Sequence, residues 1–333
     1  MPERALVTGG AGFLGLRLAR ALVERGDDVT LLDDFSRGRD DPPLRELLGD
    51  ARLVEHDLTR PLPAQRLGGG YGAVYHLAAI VGTQASAVRP HEVLRVGLAA
   101  TLNLLDWAAG AQPERLFLSS TSEVTDGAVR AELASVPVPD NAPLVVPDVA
   151  LPRASYAISK IAAEAQFLHY GNQHGALVRI GRFFNVYGPR MGYDHVIPQL
   201  ICRTLDGEDP FPVHGAWQTR SFCFVDDAVE AALLLADLAT AEPVVASVGN
   251  DMEEIVIADL VERILALAGH GAELEIHHPP SGSPDRRCPD LCRLRELTGY
   301  EPRVGLDDGL RQTFEWYRRH HEDEPQAAGA GGR

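Results

Sequence analysis

The feature that most constrains this chain is a glycine-rich turn near its start. Residues 6–15 read LVTGGAGFLG, so an apolar run leads directly into glycines and then into a helical pattern. Gly10, Gly12 and Gly15 have GxGxxG spacing, and Gly9 begins the related GxxGxxG pattern. Such glycines permit a tight turn beside phosphate and close packing of helix on strand. The pattern predicts a dinucleotide diphosphate at a helix N-terminus. The residues expected to contact it are Gly9, Gly12, Phe13, Leu14 and Gly15.

Short apolar runs alternate with helical patterns through the first half of the chain. Strands are predicted at 4–8, 28–33, 51–55, 73–76, 115–119 and 177–181, and helices at 13–25, 90–110 and 156–170. This alternation indicates an α/β fold, a Rossmann-type doubly wound parallel sheet. We expect residues 1–181 to form the dinucleotide-binding domain, with segments near 215–250 returning to it. Residues 182–320 are expected to form mainly a smaller C-terminal substrate-binding lobe.

An acidic residue distinguishes between the two forms of the dinucleotide. Asp33 closes the second predicted strand, where a carboxylate binds ribose hydroxyls and repels a 2′-phosphate. Two nearby cations, Arg37 and Arg39, would instead attract a 2′-phosphate. Asp33 nevertheless favours NAD over NADP, and the expected cofactor is NAD.

Tyr156 and Lys160 are the candidate catalytic pair. They are four residues apart in a helical stretch, so they share one face. A free tyrosine, with a pKa of about 10, is a poor base at neutral pH. A nearby ammonium stabilises the phenolate, which can then take a hydroxyl proton while hydride leaves the same carbon. The pattern predicts hydride transfer to the dinucleotide.

Several further motifs follow the glycine turn in a fixed order. They are LDD at 32–34, HD at 56–57, HLAA at 76–79, SSTSEV at 119–124, YAISK at 156–160, RFFNVYGPR at 182–190, QTRSFCFVDD at 218–227 and RRCPD at 286–290. Together they resemble the extended short-chain dehydrogenase/reductase family of NAD-dependent nucleotide-sugar epimerases and dehydratases. The resemblance covers nearly the whole chain. It implies an enzyme whose substrate is a nucleotide-diphosphate sugar.

The resemblance also implies roles for individual residues. Asp57 and Leu58 would lie against adenine, and Leu77, Ala78 and Ala79 would line the cofactor site. Thr121 would contact the sugar 4-hydroxyl together with Tyr156. The implied substrate-binding residues are Asn185, Arg190, Arg220 and Arg287. Bidentate geometry suits the last two to the diphosphate. A homodimer through the helices 90–110 and 156–170 is also implied.

The reaction after C4 oxidation depends on residues 121–123. Thr121, Ser122 and Glu123 resemble the triplet of GDP-mannose 4,6-dehydratases and UDP-glucuronate decarboxylases, which makes Glu123 the candidate acid/base at sugar C5. We rank dehydration first, 4-epimerisation second and decarboxylation third. Residues 179–189 and 218–222 resemble GDP-mannose 3,5-epimerases, but those enzymes carry a cysteine in the segment where this chain has Thr121, Ser122 and Glu123. The RRCPD segment is more similar to the decarboxylases.

Two other classes of function remain as alternatives. A plain dehydrogenase would consume NAD stoichiometrically and accumulate its reduced form. A non-catalytic NAD-binding regulator could use the same fold, since fold alone does not determine function. The joint presence of Thr121, Tyr156 and Lys160 argues against a regulator.

The chain departs from the family pattern at two places. It reads Val124-Thr125-Asp126-Gly127 where the family usually has VYG, and Gly97 stands where an asparagine is usual. We expect these changes to reshape the pocket beside nicotinamide and to accompany an unusual substrate.

Composition and charge exclude several other classes. The 47 acidic residues outnumber the 31 basic ones, for a net charge of −16, which disfavours nucleic acid and anionic membranes as partners. The four cysteines lack metal-site spacing, so no metal is expected. No apolar run approaches the ~20 residues of a membrane span. The chain also lacks an apolar leader, and we expect a cytoplasmic protein. Residues 321–333 are expected to be disordered.

Overall fold

The computed structural model describes residues 3–321, so the tail from 322 onward, and with it most of the segment expected to be disordered, lies outside the described residues. The strands, in chain order, are β1 (Arg4–Thr8), β2 (Asp28–Asp33), β3 (Arg52–Glu55), β4 (Ala73–His76), β5 (Arg115–Thr121), β6 (Leu177–Phe183), β7 (Val186–Tyr187), β8 (Phe211–His214), β9 (Thr219–Ser221), β10 (Cys223–Phe224), β11 (Val244–Val248), β12 (Glu254–Val256), β13 (Leu274–His277) and β14 (Arg286–Arg287). The helices are α1 (Phe13–Glu24), α2 (Pro42–Leu47), α3 (Ala64–Leu67), α4 (Thr83–Val88), α5 (Pro90–Ala111), α6 (Glu123–Arg130), α7 (Ala154–His174), α8 (Val196–Leu205), α9 (Val225–Ala236), α10 (Ile257–Ala268), α11 (Cys292–Thr298) and α12 (Leu306–His320).

Seven strands form one central sheet in the order β11-β6-β5-β4-β1-β2-β3, with every neighbouring pair parallel. Helices cover both faces, so alternate residues of one strand enter different cores. Ala5 and Val7 of β1 pack into one apolar cluster and Leu6 into the other. The predicted Rossmann-type sheet is confirmed.

The chain order of the strands reverses between β1 and β4, which are neighbours in the sheet. In open sheets of this kind, ligands bind at the carboxyl ends of the strands beside such a reversal. The ends of β1, β2, β4 and β5 therefore surround the site. The strand predicted at 115–119 continues to Thr121, and this extension brings Thr121 to that edge.

The second half of the chain builds three small sheets, β10-β7, β12-β9-β14 and β13-β8. β11 instead joins the edge of the central sheet, and α9 packs against α1. The division near residue 181, with part of 215–250 returning to the first domain, stays a prediction. No helix within residues 3–321 is both long and apolar enough to cross a membrane.

The segment 123–130 forms α6, a helix that sequence patterning does not predict. Glu123 and Asp126 lie in its first turn, where negative side chains are stabilised by the helix dipole. The proline-rich stretch 134–152 contains no helix, and its only sheet-like contact is an isolated bridge from Val138 to Pro289. This stretch packs over α6 and closes one side of the site.

Candidate active site

The glycine-rich turn is packed too tightly for any larger residue. Gly9 adopts a positive φ of +70°, and Gly12 precedes the first turn of α1. A Cβ on Gly15 would lie 2.0 Å from the carbonyl oxygen of Gly9, and one on Gly9 would lie 2.9 Å from the backbone of Ala78. The turn is thus a backbone cradle at a helix N-terminus, which suits a diphosphate.

This cradle opens into a cavity of about 280 Å³ that runs along the carboxyl ends of the strands. Its walls include every residue predicted to contact the cofactor except Lys160. The residues concerned are Gly9, Gly12, Phe13, Leu14, Gly15, Asp33, Asp57, Leu58, Leu77, Ala78, Ala79 and Tyr156. The cradle and its continuation past Asp33 fit a dinucleotide.

Asp33 is fixed by the backbone around it. Its carboxylate accepts hydrogen bonds from the amides of Ala11 and Phe35, both at 2.9 Å, while burial raises its pKa. The neighbouring cations have other partners. Arg37 donates to the Val81 carbonyl at 2.7 Å, and the Arg39 guanidinium lies 5.1 Å from the ring centre of Tyr193. A 2′-phosphate would thus meet a fixed carboxylate, which agrees with NAD as the cofactor.

Tyr156 lies in the first turn of α7, and its hydroxyl is close to the side chain of Thr121 at the end of β5. Burial, and then the negative charge of Glu123, raise the pKa of Tyr156. Lys160 is buried one turn later, and its ammonium donates to the Ser119 carbonyl at 2.7 Å. Burial lowers the pKa of Lys160 to about 8. The structure therefore brings Thr121, Tyr156 and Lys160 together at one strand end.

Glu123 follows Thr121 at the start of α6 and points into the same region. Its amide donates to the Thr121 hydroxyl at 3.3 Å, and its carboxylate lies 3.5 Å from the guanidinium of Arg153. The Glu123 side chain is only 19% exposed. Ser122 is also buried, and its backbone amide donates a hydrogen bond to the Phe183 carbonyl. Arg153 was not foreseen, although its position three residues before Tyr156 could have signalled it.

Arg220 and Arg287 lie side by side because β9 and β14 are adjacent parallel strands with these residues in register. Both side chains are buried. Arg287 Nη1 lies 3.5 Å from Asn185 Oδ1, its Nη2 donates to the carboxylate of Asp126, and its Nε has no partner. Burial lowers the pKa of Arg287, but the charges of Asp126 and Glu123 outweigh this and raise it. A buried guanidinium with one free N–H is suited to an anionic ligand.

Arg220 differs from Arg287 in having only uncharged partners. Its guanidinium donates to the carbonyls of Thr219 and Asp285 and to the side chains of Gln218 and Ser283. Burial, and then the charge of Arg287, lower the pKa of Arg220 to about 10. A buried cation with no carboxylate partner among the described residues is stabilised when an anion binds beside it.

Arg190 lies apart from Asn185, Arg220 and Arg287. It lines the cofactor cavity, and its guanidinium donates to the carbonyls of Ala11 and Gly12, at 2.9 and 3.0 Å, and to the carboxylate of Asp41. Its contacts are thus with the glycine-rich turn rather than with the other expected substrate-binding residues. We infer that Arg190 holds the cofactor cradle in shape.

A second cavity of about 450 Å³ adjoins Glu123, Asp126 and Arg153. Half of the remaining lining residues come from the stretch 145–157, and most of those are apolar. Gly127 of α6 makes this packing possible, because a Cβ there would lie 1.9 Å from the Val145 carbonyl oxygen. Gly127, the last residue of the departure at 124–127, is therefore needed for the stretch to pack against α6.

The other departure, at Gly97, has a separate structural reason. A Cβ on Gly97 of α5 would lie 2.8 Å from the Cβ of Ser159 on α7. Gly97 thus allows α5 and α7 to pack closely at Ser159, the residue directly before Lys160. The expected effect on the pocket would act through this helix contact.

Comparison with known proteins identifies both a matching family and similar sequences. Residues 5–249 match the model of the NAD dependent epimerase/dehydratase family. The chain is 32% identical to a UDP-N-acetyl-alpha-D-glucosaminuronate decarboxylase of Bacillus cytotoxicus, over 97% of this chain and 100% of that protein.

Solved structures agree in fold along almost the whole chain. DesIV, a dTDP-glucose 4,6-dehydratase from Streptomyces venezuelae solved with NAD, has a TM-score of 0.84 at 26% identity, covering 97% of this chain and 99% of that one. MoeE5, solved with UDP-glucuronic acid and NAD, has a TM-score of 0.80 at 29% identity, covering 95% and 99%.

Proposed function

The chain belongs to the NAD-dependent epimerase/dehydratase family, and from that premise we propose that it oxidises C4 of a nucleotide-diphosphate sugar and then removes the C5 proton, so that the sugar is dehydrated. One observation carries the proposal. The carboxylate of Glu123 belongs to the same cluster as Thr121 and Tyr156, so an acid/base group lies beside the group that acts at C4.

Tyr156 moves the first proton. Its phenolate takes the proton of the C4 hydroxyl, and the neighbouring Thr121 hydroxyl can orient that C4 hydroxyl by a hydrogen bond. NAD held at the glycine-rich turn and Asp33 would supply a hydride acceptor and, later in the turnover, a hydride donor. Lys160 contributes a buried positive charge one turn from Tyr156, which favours the phenolate.

Glu123 acts at the neighbouring carbon. The ketone at C4 acidifies the C5 hydrogen, and the Glu123 carboxylate can take that proton. As a C5–C6 double bond forms, the C6–O bond breaks, and Glu123 can pass its proton to the departing oxygen to give water. Arg153, 3.5 Å away, places a positive charge beside the Glu123 carboxylate and fixes its position at this wall of the site.

The diphosphate of the substrate is the ligand that best matches Arg220 and the free N–H of Arg287. Two negative charges would stabilise a buried cation that has only uncharged partners. Asn185 supports this arrangement because it contacts Arg287 and donates to the Ser221 carbonyl. The NDP sugar would then reach from these arginines toward Tyr156.

A second candidate reaction is decarboxylation of a nucleotide-linked uronic acid. It is favoured by the similarity to the Bacillus cytotoxicus decarboxylase, which extends along that whole protein. The same C4 oxidation would precede it, with the C6 carboxylate lost as CO2 instead of the C6 hydroxyl as water.

We also propose a homodimer through α5 and α7. These helices pack side by side, and Leu94, Leu98 and Leu102 recur every four residues along α5 with Leu102 53% exposed. Such a row of leucines is suited to burial against a second copy. Light scattering in solution should give twice the chain mass of 36.0 kDa; a monomer mass would contradict the proposal. A cytoplasmic location remains our expectation.

The reaction is tested with UDP-, dTDP- and GDP-sugars in deuterated water, with products identified by mass spectrometry and proton NMR. Dehydration predicts loss of one water and deuterium at C5. Loss of CO2 with deuterium at C5 would establish decarboxylation, and an isomer without deuterium would establish 4-epimerisation and remove Glu123 from its role.

Two variants separate the steps. Tyr156→Phe should abolish C4 oxidation, whereas Glu123→Gln should still oxidise C4 and reduce the bound cofactor but lose about 10²–10⁴-fold in dehydration, the usual contribution of a general acid/base. Equal dehydration by Glu123→Gln and wild type would refute the assignment.

A further inference from the structure

The charged side chains beside Glu123 form two closed pairs. Glu123 pairs with Arg153, and Asp126, one helical turn later on α6, pairs with Arg287. The Asp126 and Arg287 side chains are only 18% and 10% exposed. Arg153 and Arg287 therefore each already have a negative partner supplied by α6.

Arg220 is the buried cation nearby that has no such partner among residues 3–321. Its hydrogen bonds go to uncharged oxygens only, so it and the unpartnered Nε of Arg287 are the groups left for an anion. The diphosphate that every nucleotide sugar carries accounts for both. Among residues 3–321, no second fully buried cation beside Glu123 is then left for a carboxylate on the sugar; Arg37, which is half-buried, lines the cofactor cavity and donates to the Val81 carbonyl.

The position of Glu123 locates the sugar carbon in question. If Glu123 removes the C5 proton, then the C6 group is one bond from the carbon that Glu123 reaches. A C6 carboxylate would thus lie beside both α6 carboxylates. The exposed Arg130 does not change this, because it lies two turns further along α6, about 10 Å at 1.5 Å per residue, and donates to the Gly282 carbonyl.

We propose that Asp126 is a specificity-determining residue that occupies Arg287 and so selects sugars whose C6 group is uncharged. The natural substrate class is then a nucleotide-diphosphate hexose with a C6 hydroxymethyl group, not a uronic acid. This inference rests on the proposed function, because it takes from it the position of C5. It accounts for Asp126, which stands where the family resemblance does not provide a carboxylate.

The experiment compares ligands that differ only at C6. The NAD-loaded protein is titrated by calorimetry with UDP-glucose and UDP-glucuronate, and with UDP-N-acetylglucosamine and its uronate. The dTDP-linked glucose and glucuronate pair is used if UDP-sugars do not bind. Wild type should bind the hydroxymethyl member at least about tenfold more tightly, because like charges in a partly buried site repel.

Asp126→Asn removes the negative charge but keeps the size of the side chain. It should reduce the preference for the hydroxymethyl sugar about tenfold or more by strengthening uronate binding. Asp148→Asn is the matched control, because Asp148 lines the same cavity and its carboxylate accepts only from the Ala150 amide in the structure. This control should keep the wild-type ratio.

Equal or tighter binding of the uronate by wild type would overturn the inference, and this result does not depend on whether the variant folds. An unchanged ratio in folded Asp126→Asn would also overturn it. The proposed reaction fails separately: a wild type that prefers the hydroxymethyl sugar but incorporates no deuterium at C5 would contradict dehydration while leaving the preference itself established.

Discussion

A buried ion pair between Glu164 of α7 and Arg182 of β6 should dominate the stability of the candidate active site. Glu164 lies one turn after Lys160 on α7, and its two oxygens accept from Arg182 Nε and Nη2 at 3.0 and 2.7 Å. The side chains are 3% and 7% exposed, and Ser120, beside Thr121, also donates to Glu164. We predict that Glu164→Gln lowers the free energy of unfolding by about 3–5 kcal/mol, because Arg182 is left as an uncompensated buried charge.

That loss is a large fraction of the 5–15 kcal/mol that usually stabilises a folded domain. It is measured by urea unfolding of wild type and variant, with NAD absent or at one fixed concentration because NAD binding itself adds stability. A double variant that removes both charges should also separate the cost of the unpaired charge from the cost of altered packing. Glu164→Leu combined with Arg182→Met should recover most of the loss, since apolar residues of similar volume often replace a buried pair at little cost.

Two results would refute this reasoning. A loss below about 1 kcal/mol in Glu164→Gln would lie outside the range for a broken buried pair. It would mean that Arg182 is not left as an uncompensated charge. A double variant as unstable as Glu164→Gln would mean that packing, rather than the unpaired charge, sets the cost.

Two further predictions concern the glycine-rich turn and a buried histidine. Gly15→Ala places a Cβ 2.0 Å from the Gly9 carbonyl oxygen and should weaken NAD binding about 10- to 100-fold by calorimetry, whereas Gly110→Ala, with open space around its Cβ, should not; equal affinities would contradict the prediction. Burial lowers the pKa of His76 to about 3. Below about pH 6.5 the unfolded chain therefore binds a proton that the folded chain does not, and the free energy of unfolding decreases as the pH is lowered, by about 2 kcal/mol at pH 5. Urea unfolding at pH 7.5 and 5 should show this loss in wild type and less of it in His76→Asn, and an equal loss in both would refute it.

Much of the cofactor half of the protein could be predicted because its signals are local. The glycine spacing at 9–15, the alternation of strands and helices, and the four-residue spacing of Tyr156 and Lys160 each depend on neighbours in the chain. The observed sheet and the family confirm the fold and NAD. The predicted helix at 156–170 extends from Ala154 to His174, a difference confined to its ends.

The contacts between distant segments could not be read in this way. Arg190 was grouped with Arg220 and Arg287 by its motif, yet its guanidinium contacts the glycine-rich turn 178 residues away. Gly97 was expected to act on the nicotinamide pocket, whereas it contacts Ser159 across a helix interface. In both cases the motif identified an important position, and the packing of separate elements set its contacts.

The sequence by itself determined the α/β class and predicted the glycine-rich turn and the candidate catalytic pair, because short-range spacing fixes turns, helix faces and the alternation of strands with helices. The tertiary structure alone decided how the charges beside Glu123 are paired. Asp126 and Arg287 are 161 residues apart and meet only because α6 and β14 pack at one strand edge. An ion pair depends on the distance between side chains in the folded chain, and spacing along the sequence carries no measure of that distance.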